Sequence, residues 1–174
     1  MPRIRVERRL EIRGNMSRSE IRRRVVEAFL DEEPGENYEY WYHVETLSDG
    51  KRMYLRRPTR RFNFDFKVEV EGFEFRGTHE EIVNDLRAKK AESPSDFHSL
   101  MKAIREVYKG KDVEDVLSAY KFHFSSGFSV ELLLKLLKWF FILEDIYYWN
   151  YKGRGKLMEY IEKSLFQDSL EEFT

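Results

Sequence analysis

The sequence predicts an α+β fold in which an antiparallel sheet of three to five strands is followed by several helices. Residues 3–75 contain most of the segments with the two-residue alternation of strands, whereas residues 78–165 contain mainly helical periodicity. Strands gathered early and helices gathered late favour separate layers over a parallel sheet with alternating helices. We expect residues 1–120 to form an α+β domain. The helical segment 121–174 is expected to pack on it or to form an assembly element.

The N-terminal segment predicts a strand and then a helix. Residues 3–13 alternate apolar and polar side chains, which is the pattern of a half-buried strand, and only Arg8 interrupts the apolar side. Ser17 and Glu20 have the spacing of a capping box, because the serine can accept from a free amide while the glutamate reaches back. The helix is expected to end near Leu30.

The middle of the chain predicts a hairpin and a third strand. Residues 38–47 and 51–57 are joined by Ser-Asp-Gly at 48–50, and this Asp-Gly pair favours a tight turn because glycine tolerates positive φ. Residues 62–71 then alternate apolar and polar side chains without a break, which predicts a strand with one buried side. Residues 73–75 are expected to pair with it as a short continuation.

The rest of the chain predicts five helices, over about 78–91, 94–108, 113–120, 130–149 and 156–165. The second of these has an apolar stripe that comprises Phe97, Leu100, Met101, Ile104 and Tyr108. Charged residues interrupt the apolar helix over 130–149, so no run approaches the roughly 18 residues of a membrane span. We therefore expect no membrane partner.

Composition narrows the function classes. The chain has no cysteine, which excludes disulfides, thiolate metal ligands and a cysteine nucleophile, and which fits a reducing compartment. The basic N-terminus lacks the apolar stretch of a secretory signal, so a cytoplasmic location is expected. Abundant charge and a single glutamine resemble the composition of thermophile proteins.

The net charge of −1 conceals strong local segregation. Residues 1–30 carry nine arginines and four glutamates, residues 31–50 carry seven acids and no Lys or Arg, and residues 51–61 carry six cations and no acid. Such local fields steer charged partners even when the total charge is near zero.

The hairpin is the main candidate binding site. Its buried side is expected to comprise Tyr38, Tyr40, Tyr42, Val44, Met53 and Leu55. Its exposed side is expected to comprise Trp41, His43, Arg52, Tyr54 and Arg56, extended by Arg57, Arg60 and Arg61. Unpaired bases stack on aromatic faces while arginines contact phosphates, so this side predicts binding of single-stranded DNA or RNA. The competing interpretation is that all the rings are core, and the adjacent run of cations favours binding.

The N-terminal arginines are a second candidate basic surface. They include Arg5, Arg9, Arg22, Arg23 and Arg24. A solvated, ion-paired face is the favoured interpretation, because the acids at 31–39 offer partners.

Signals for catalysis are weak. The four histidines have no metal-ligand spacing, no phosphate-binding glycine loop is present, and no cofactor or metal is expected. One alternative is a metal-dependent nuclease, in which Asp49 and Asp65 would hold Mg²⁺ and Lys67 would position water. An acid two residues before a lysine is common in so charged a chain, so a non-enzymatic function is preferred.

The C-terminal helices predict self-association. Polar aromatic residues are dense over 144–154, as at helix surfaces that pack against a partner. The preceding residues supply more apolar surface than a peripheral helix needs, namely Leu132, Leu133, Leu136, Leu137, Phe140 and Phe141. A homodimer or higher homo-oligomer through these helices is expected. A non-catalytic protein-interaction scaffold is a third functional class.

The chain resembles the ThermoDBP-related single-stranded nucleic-acid-binding proteins of thermophiles. The resemblance depends on the Tyr-Glu-Tyr-Trp-Tyr run at 38–42, the arginine pairs at 56–57 and 60–61, and the helix over 78–90, and it covers most of 36–117. It implies a small antiparallel sheet backed by helices, and a cleft with aromatic walls and basic edges. It also implies oligomers formed through helices, and neither enzymatic activity nor a cofactor.

Overall fold

A computed structural model describes residues 4–12, 16–30, 37–56, 67–70, 73–76, 79–124, 129–148 and 156–171. The fold is α+β, as predicted. The strands are β1 (Ile4–Arg9), β2 (Tyr38–Thr46), β3 (Arg52–Arg56), β4 (Lys67–Val70) and β5 (Phe73–Arg76). The helices are α1 (Arg18–Leu30), α2 (His79–Glu92), α3 (Pro94–Tyr108), α4 (Val113–Ala119), α5 (Val130–Tyr148) and α6 (Lys156–Glu171).

The chain divides into two compact units, Met1–Thr78 and His79–Thr174. All five described strands and α1 belong to the first unit, and the other described helices belong to the second. This boundary differs from the division at residue 120 that the sequence suggested. Helices α3 and α4 both contact α5, so the segment after residue 120 packs on the helices before it.

The sheet is mixed, and the prediction of a purely antiparallel sheet was wrong. Its strand order is β1-β2-β3-β4-β5, and every neighbouring pair is antiparallel except β1 with β2. Helix α1 accounts for the parallel pair, because a crossover connection lets the next strand run in the same direction. The serine cap predicted for this helix is confirmed, since the Glu20 amide donates to Ser17 Oγ at 3.3 Å.

β1 is less buried than predicted. Ile4 is 54% exposed, and Val6 is only partly buried. The strand lies at one edge of the sheet, which explains why its alternation does not produce a buried side. The main apolar contribution of this segment comes just after the strand, where Leu10 is buried and its amide donates to the His43 carbonyl.

The predicted hairpin turn is confirmed. The Leu47 amide donates to the Lys51 carbonyl at 2.8 Å, and Gly50 has a φ of 86°. Asp49 supports the turn because its Oδ1 accepts from the Lys51 amide at 3.0 Å. The third strand of the prediction is described only from Lys67 onward, so its residues 62–66 lie outside the described part of the chain.

The second unit is a helical layer with its own core. Ile82, Val83 and Leu86 of α2 are buried as predicted. On α3 the predicted stripe is buried except for Tyr108, which is 39% exposed and contacts the Phe141 ring only edge-on. Val107 is buried in its place at the end of the helix.

Helix α5 is buried mainly within its own unit. Most of its described side chains from Leu133 to Glu144 are buried, and the helix contacts α3 and α4. Two of the buried side chains are charged: Lys135 pairs with Glu131 at 3.3 Å, and Glu144 accepts from the Leu157 amide. None of the described helices is long and apolar enough to cross a membrane.

Candidate nucleic-acid interface

The β2–β3 hairpin has two chemically different faces, and their composition follows from its register. Tyr42 pairs with Leu55, and His43 pairs with Tyr54. The Tyr42 hydroxyl donates to the Ala28 carbonyl of α1 at 2.6 Å, so this helix covers the Tyr42 face. Met53 and Leu55 are fully buried. The register thus gives the hairpin one side with Tyr42 and Leu55 and another with His43 and Tyr54.

The opposite face, here called the basic-aromatic face, includes residues of three adjacent strands. β2 and β3 supply Trp41, His43, Arg52, Tyr54 and Arg56, as the sequence predicted. β1 adds Arg5 and Arg9, because its parallel register sets Glu7 beside Trp41 and Arg9 beside His43. The sequence did not indicate this addition, since the N-terminal arginines looked like a separate surface. Arg22, Arg23 and Arg24 lie on α1, which packs against the other face.

Trp41 is buried, and the expectation that it would be exposed was wrong. Only 2% of the residue is exposed. The Arg5 guanidinium lies 4.6 Å from the centroid of its ring, and its Nε1 donates to Glu39 Oε1 at 2.7 Å. A side chain of the neighbouring strand therefore covers the indole. Trp41 is a packed anchor of this face and not one of its open rings.

Tyr38 and Tyr40 are also misplaced in the prediction. Tyr38 is 46% exposed because it is the first residue of β2, and Tyr40 is only partly buried. The Arg8 guanidinium lies 5.4 Å from the Tyr40 ring. Arg8, which interrupted the apolar side of β1 in the sequence, thus has a cation–π partner on that side.

A β-bulge changes the direction of the side chains at the end of β2. His43 pairs with Tyr54 while Glu45 pairs with Met53, so Val44 is the extra residue. Strict alternation would place Thr46 on the same side as Tyr42, but the bulge brings it to His43. The Thr46 hydroxyl lies 3.3 Å from His43 Nε2. Bulges often redirect side chains in this way next to functional sites.

His43 and Tyr54 form the most accessible ring pair of the basic-aromatic face. Their ring centroids are 5.3 Å apart, the planes are tilted by 45°, and both residues are partly exposed. Burial lowers the pKa of His43 below its ordinary value of 6.5, and the charges of Arg9 and Arg52 act in the same direction. A backbone hydrogen bond at Glu45 and the charge of Glu7 raise the pKa in opposition, and both arginines are exposed.

The other predicted arginines divide into two groups. Arg56 is partly buried, and its Nη1 lies 3.9 Å from Glu39 Oε1, the same oxygen that accepts from Trp41. It therefore supports the Trp41 anchor. Arg57, Arg60 and Arg61 lie outside the described residues.

The residues of the nuclease alternative do not converge in the part that the structure describes. Val70 of β4 pairs with Met53, near the turn that carries Asp49. Lys67 lies at the other end of β4, about 10 Å along the strand from Val70. Asp65 lies outside the described residues, and Asp49 is engaged with Lys51 of its own turn. Among the described side chains no group of three or more His, Asp or Glu could hold a metal ion.

Comparison with known proteins gives no relative: no family model matches the chain, and neither the curated proteins nor the solved structures contain a match.

Proposed function

We propose that the protein binds single-stranded DNA or RNA, with little sequence preference, on the basic-aromatic face. The observation that supports this most is the His43–Tyr54 ring pair, partly exposed and flanked by the exposed Arg9 and Arg52. Flat rings offer stacking surfaces to unpaired bases, at about 1–3 kcal/mol per base, and guanidinium groups pair with phosphates. Both interactions are available to any base sequence.

Single strands fit this face better than a duplex does. Bases in a duplex are already stacked, so partly exposed rings on a sheet cannot reach their flat surfaces. Reading a duplex needs a helix or ribbon that enters the major groove and presents side chains to base edges. The rings of this face lie on a sheet, where open bases can stack on them one at a time.

Trp41 has a supporting role in this proposal. Its ring holds the Arg5 guanidinium at 4.6 Å, and Arg5 also lies 5.8 Å from the Tyr54 ring. Arg5 Nη2 lies 3.4 Å from Glu7 Oε1, so a phosphate bound beside Tyr54 would compete with Glu7 for a cation that is already positioned, which lowers the entropy cost of binding. We propose that the same phosphate contacts continue along the nucleic-acid strand at Arg57, Arg60 and Arg61.

We also propose a cytoplasmic location, a thermophilic source and a homo-oligomer formed through the C-terminal helices. The apolar surface of α5 that suggested assembly is largely used within its own unit, so assembly is proposed through exposed side chains such as Tyr160 and Phe166 of α6. Sedimentation at two protein concentrations would measure the association state.

The test is a binding series with labelled single-stranded DNA, single-stranded RNA and duplex DNA. We expect both single strands to bind more tightly than the duplex, and Tyr54→Leu to weaken single-strand binding by about fivefold or more. Tyr38→Leu is the matched control, because it removes an exposed tyrosine from the other face of the same hairpin. Equal affinities for both variants and the unchanged protein would refute this assignment.

The same series separates the alternatives. Cleavage of the labelled strands with Mg²⁺, abolished by Lys67→Ala, would support the nuclease. Stable assembly without affinity for any of the three nucleic acids would support a protein-interaction scaffold.

A further inference from the structure

Strand β1 lies at one edge of the described sheet, where β2 is its only neighbour among the described strands. Five of its six residues are exposed. The amides of Ile4 and Leu10 both donate to carbonyls on the β2 side. Successive residues of a strand turn their backbone groups to opposite sides, so Arg5, Glu7 and Arg9 direct theirs away from β2. The outer side of β1 is therefore a row of backbone donors and acceptors to which another strand can bond.

The charges of β1 suit a second copy of the same strand. In an antiparallel pair about a twofold axis beside Val6, Arg5 lies directly opposite Glu7 of the second copy, and the symmetry repeats this contact. Within one copy, Arg5 Nη2 and Glu7 Oε1 are 3.4 Å apart on the same side of the strand. Both residues also direct their backbone groups outward, so this register gives them hydrogen-bonded pairing. Charge and backbone thus favour the same register.

Other registers of the same pair are less favourable. A shift by two residues, the smallest that keeps the backbone bonds, sets Arg5 against Arg5 or Glu7 against Glu7, and like charges directly opposite each other destabilise a strand pair. A shift that sets Glu7 against Arg9 pairs only residues 7–9 of the strand and sets Arg8 against its own copy. In the register centred on Val6, residues 4–8 all have partners within β1. Arg9 falls opposite position 3, before the strand begins.

The apolar side of the same pair would cover exposed hydrophobic surface. Ile4 is 54% exposed, and Tyr38, its neighbour in the β1–β2 register, is 46% exposed. In the register centred on Val6, each Val6 meets its own copy, and Ile4 lies opposite Arg8 of the second copy. The aliphatic stem of an arginine can cover such a side chain. Removal of this surface from water adds to the pairing.

We infer that β1 pairs antiparallel with β1 of a second copy of the chain, in the register centred on Val6. The pairing joins the two sheets edge to edge. A twofold axis perpendicular to the sheet keeps equivalent faces on the same side, so the two basic-aromatic faces become neighbours. A single strand of nucleic acid can then extend from one face to the other, and only this consequence rests on the proposed function. The contact is distinct from the assembly proposed through α6.

A disulfide tests the register, because the chain has no cysteine of its own. In an antiparallel pair, opposite residues that share no hydrogen bonds have Cα atoms about 4.5 Å apart, within reach of a disulfide. Val6→Cys in the full chain should therefore form a covalent dimer under mild oxidation. Ile4→Cys is the matched control, because it is more exposed but its two copies lie four residues apart along the pair, about 14 Å. On non-reducing gels we expect at least about fivefold more dimer from Val6→Cys.

Two results of this experiment would overturn the inference. Equal or greater cross-linking of Ile4→Cys would indicate random collision between exposed thiols. Cross-linking through Arg8→Cys with none through Val6→Cys would indicate the register in which Arg8 meets its own copy.

An exchange of charges gives a second test without cysteine. Glu7→Arg and Arg5→Glu each set like charges opposite each other in a dimer of identical variants, so each should lower the association constant about fivefold or more. A mixture of the two variants should form a mixed dimer, because every opposite pair again joins unlike charges. Arg5→Glu also uncovers Trp41, and formation of the mixed dimer would show that this variant still folds. Sedimentation of the unchanged protein, each variant and the mixture would measure association.

A monomeric unchanged protein across the accessible range of concentration would overturn the inference. A dimer that Glu7→Arg leaves intact would overturn it as well, and would assign association to another surface such as α6. None of these measurements contains nucleic acid, so their failure would leave the proposed function to its own test.

Discussion

Trp41 carries more of the stability of the first unit than any open ring of the hairpin can. Its ring is buried, covered by Arg5 and hydrogen-bonded to Glu39. We expect Trp41→Ala to lower the free energy of unfolding by about 3–5 kcal/mol, as for other large aromatic truncations. Tyr38→Ala on the same strand should change it by less than about 0.5 kcal/mol, because that ring is 46% exposed. Urea denaturation would measure both, and equal losses would contradict the assignment.

His43 should make binding depend on pH. Burial and then Arg9 and Arg52 hold the pKa of the free protein's imidazole below 6.5. A phosphate bound beside it favours the imidazolium and raises that pKa, so binding takes up a proton between the two values. Affinity should therefore rise as the pH falls through the range between the pKa of the complex and that of the free protein. His43→Phe keeps a stacking ring without a titrating group, and its affinity should lose this rise in a titration series. A rise of the same size in the variant would refute the role of His43.

At the scale of elements, the N-terminus of α6 depends on a side chain from α5. The Leu157 amide lies in the first turn, where it has no helical partner, and both oxygens of the buried Glu144 lie within 3.3 Å of it. Glu144→Ala should cost about 1–3 kcal/mol of stability by leaving a buried donor unsatisfied. Glu144→Gln retains an acceptor and should cost less. Thermal unfolding would rank them, and equal losses would show that the acceptor is unimportant.

A substitution at Gly50 in the hairpin turn changes the stability through backbone strain alone, without a change in packing. Gly50 has a φ of 86°, and a Cβ at this position would meet no atom within 4 Å. Gly50→Ala should therefore cost about 1–2 kcal/mol, from the left-handed conformation alone. Gly50→Asn should cost less, because asparagine tolerates this region. Denaturation midpoints for the two variants would check the order, and a stability equal to that of the unchanged protein for Gly50→Ala would contradict it.

The sequence predicted the positions of the elements better than it predicted which strands pair with each other. Alternation and the Asp-Gly pair located the hairpin, and apolar periodicity located α2 and α3, because these signals are local. The parallel pairing of β1 with β2 leaves no local signal, since it depends on how α1 returns the chain. The sequence also contains no signal for the bulge at Val44, because nothing in residues 43–45 distinguishes an extra residue from a regular strand. The burial of Trp41 was also missed, because Arg5 covers its ring and reaches it only through the parallel pairing of β1 with β2.

At the scale of the whole molecule, the charge pattern has a structural meaning. The arginines of the N-terminal segment and those after the turn are separated by an acidic stretch in sequence. The parallel β1–β2 pair brings Arg9 beside His43, on the face that Arg52 also reaches. A chain of net charge −1 thereby gathers several arginines on one face, and such a local field can attract a polyanion although the protein as a whole is slightly negative.

The salt dependence of binding tests the central claim most directly. For each phosphate that a protein neutralises on a single strand, the slope of log K against log salt is about −0.7. Arg9→Gln with Arg52→Gln should flatten that slope by roughly 0.7 for each phosphate that is no longer neutralised, whereas Tyr54→Leu should weaken binding equally at every salt concentration. A slope and an affinity that remain unchanged in both variants would contradict the assignment of single-strand binding to the basic-aromatic face.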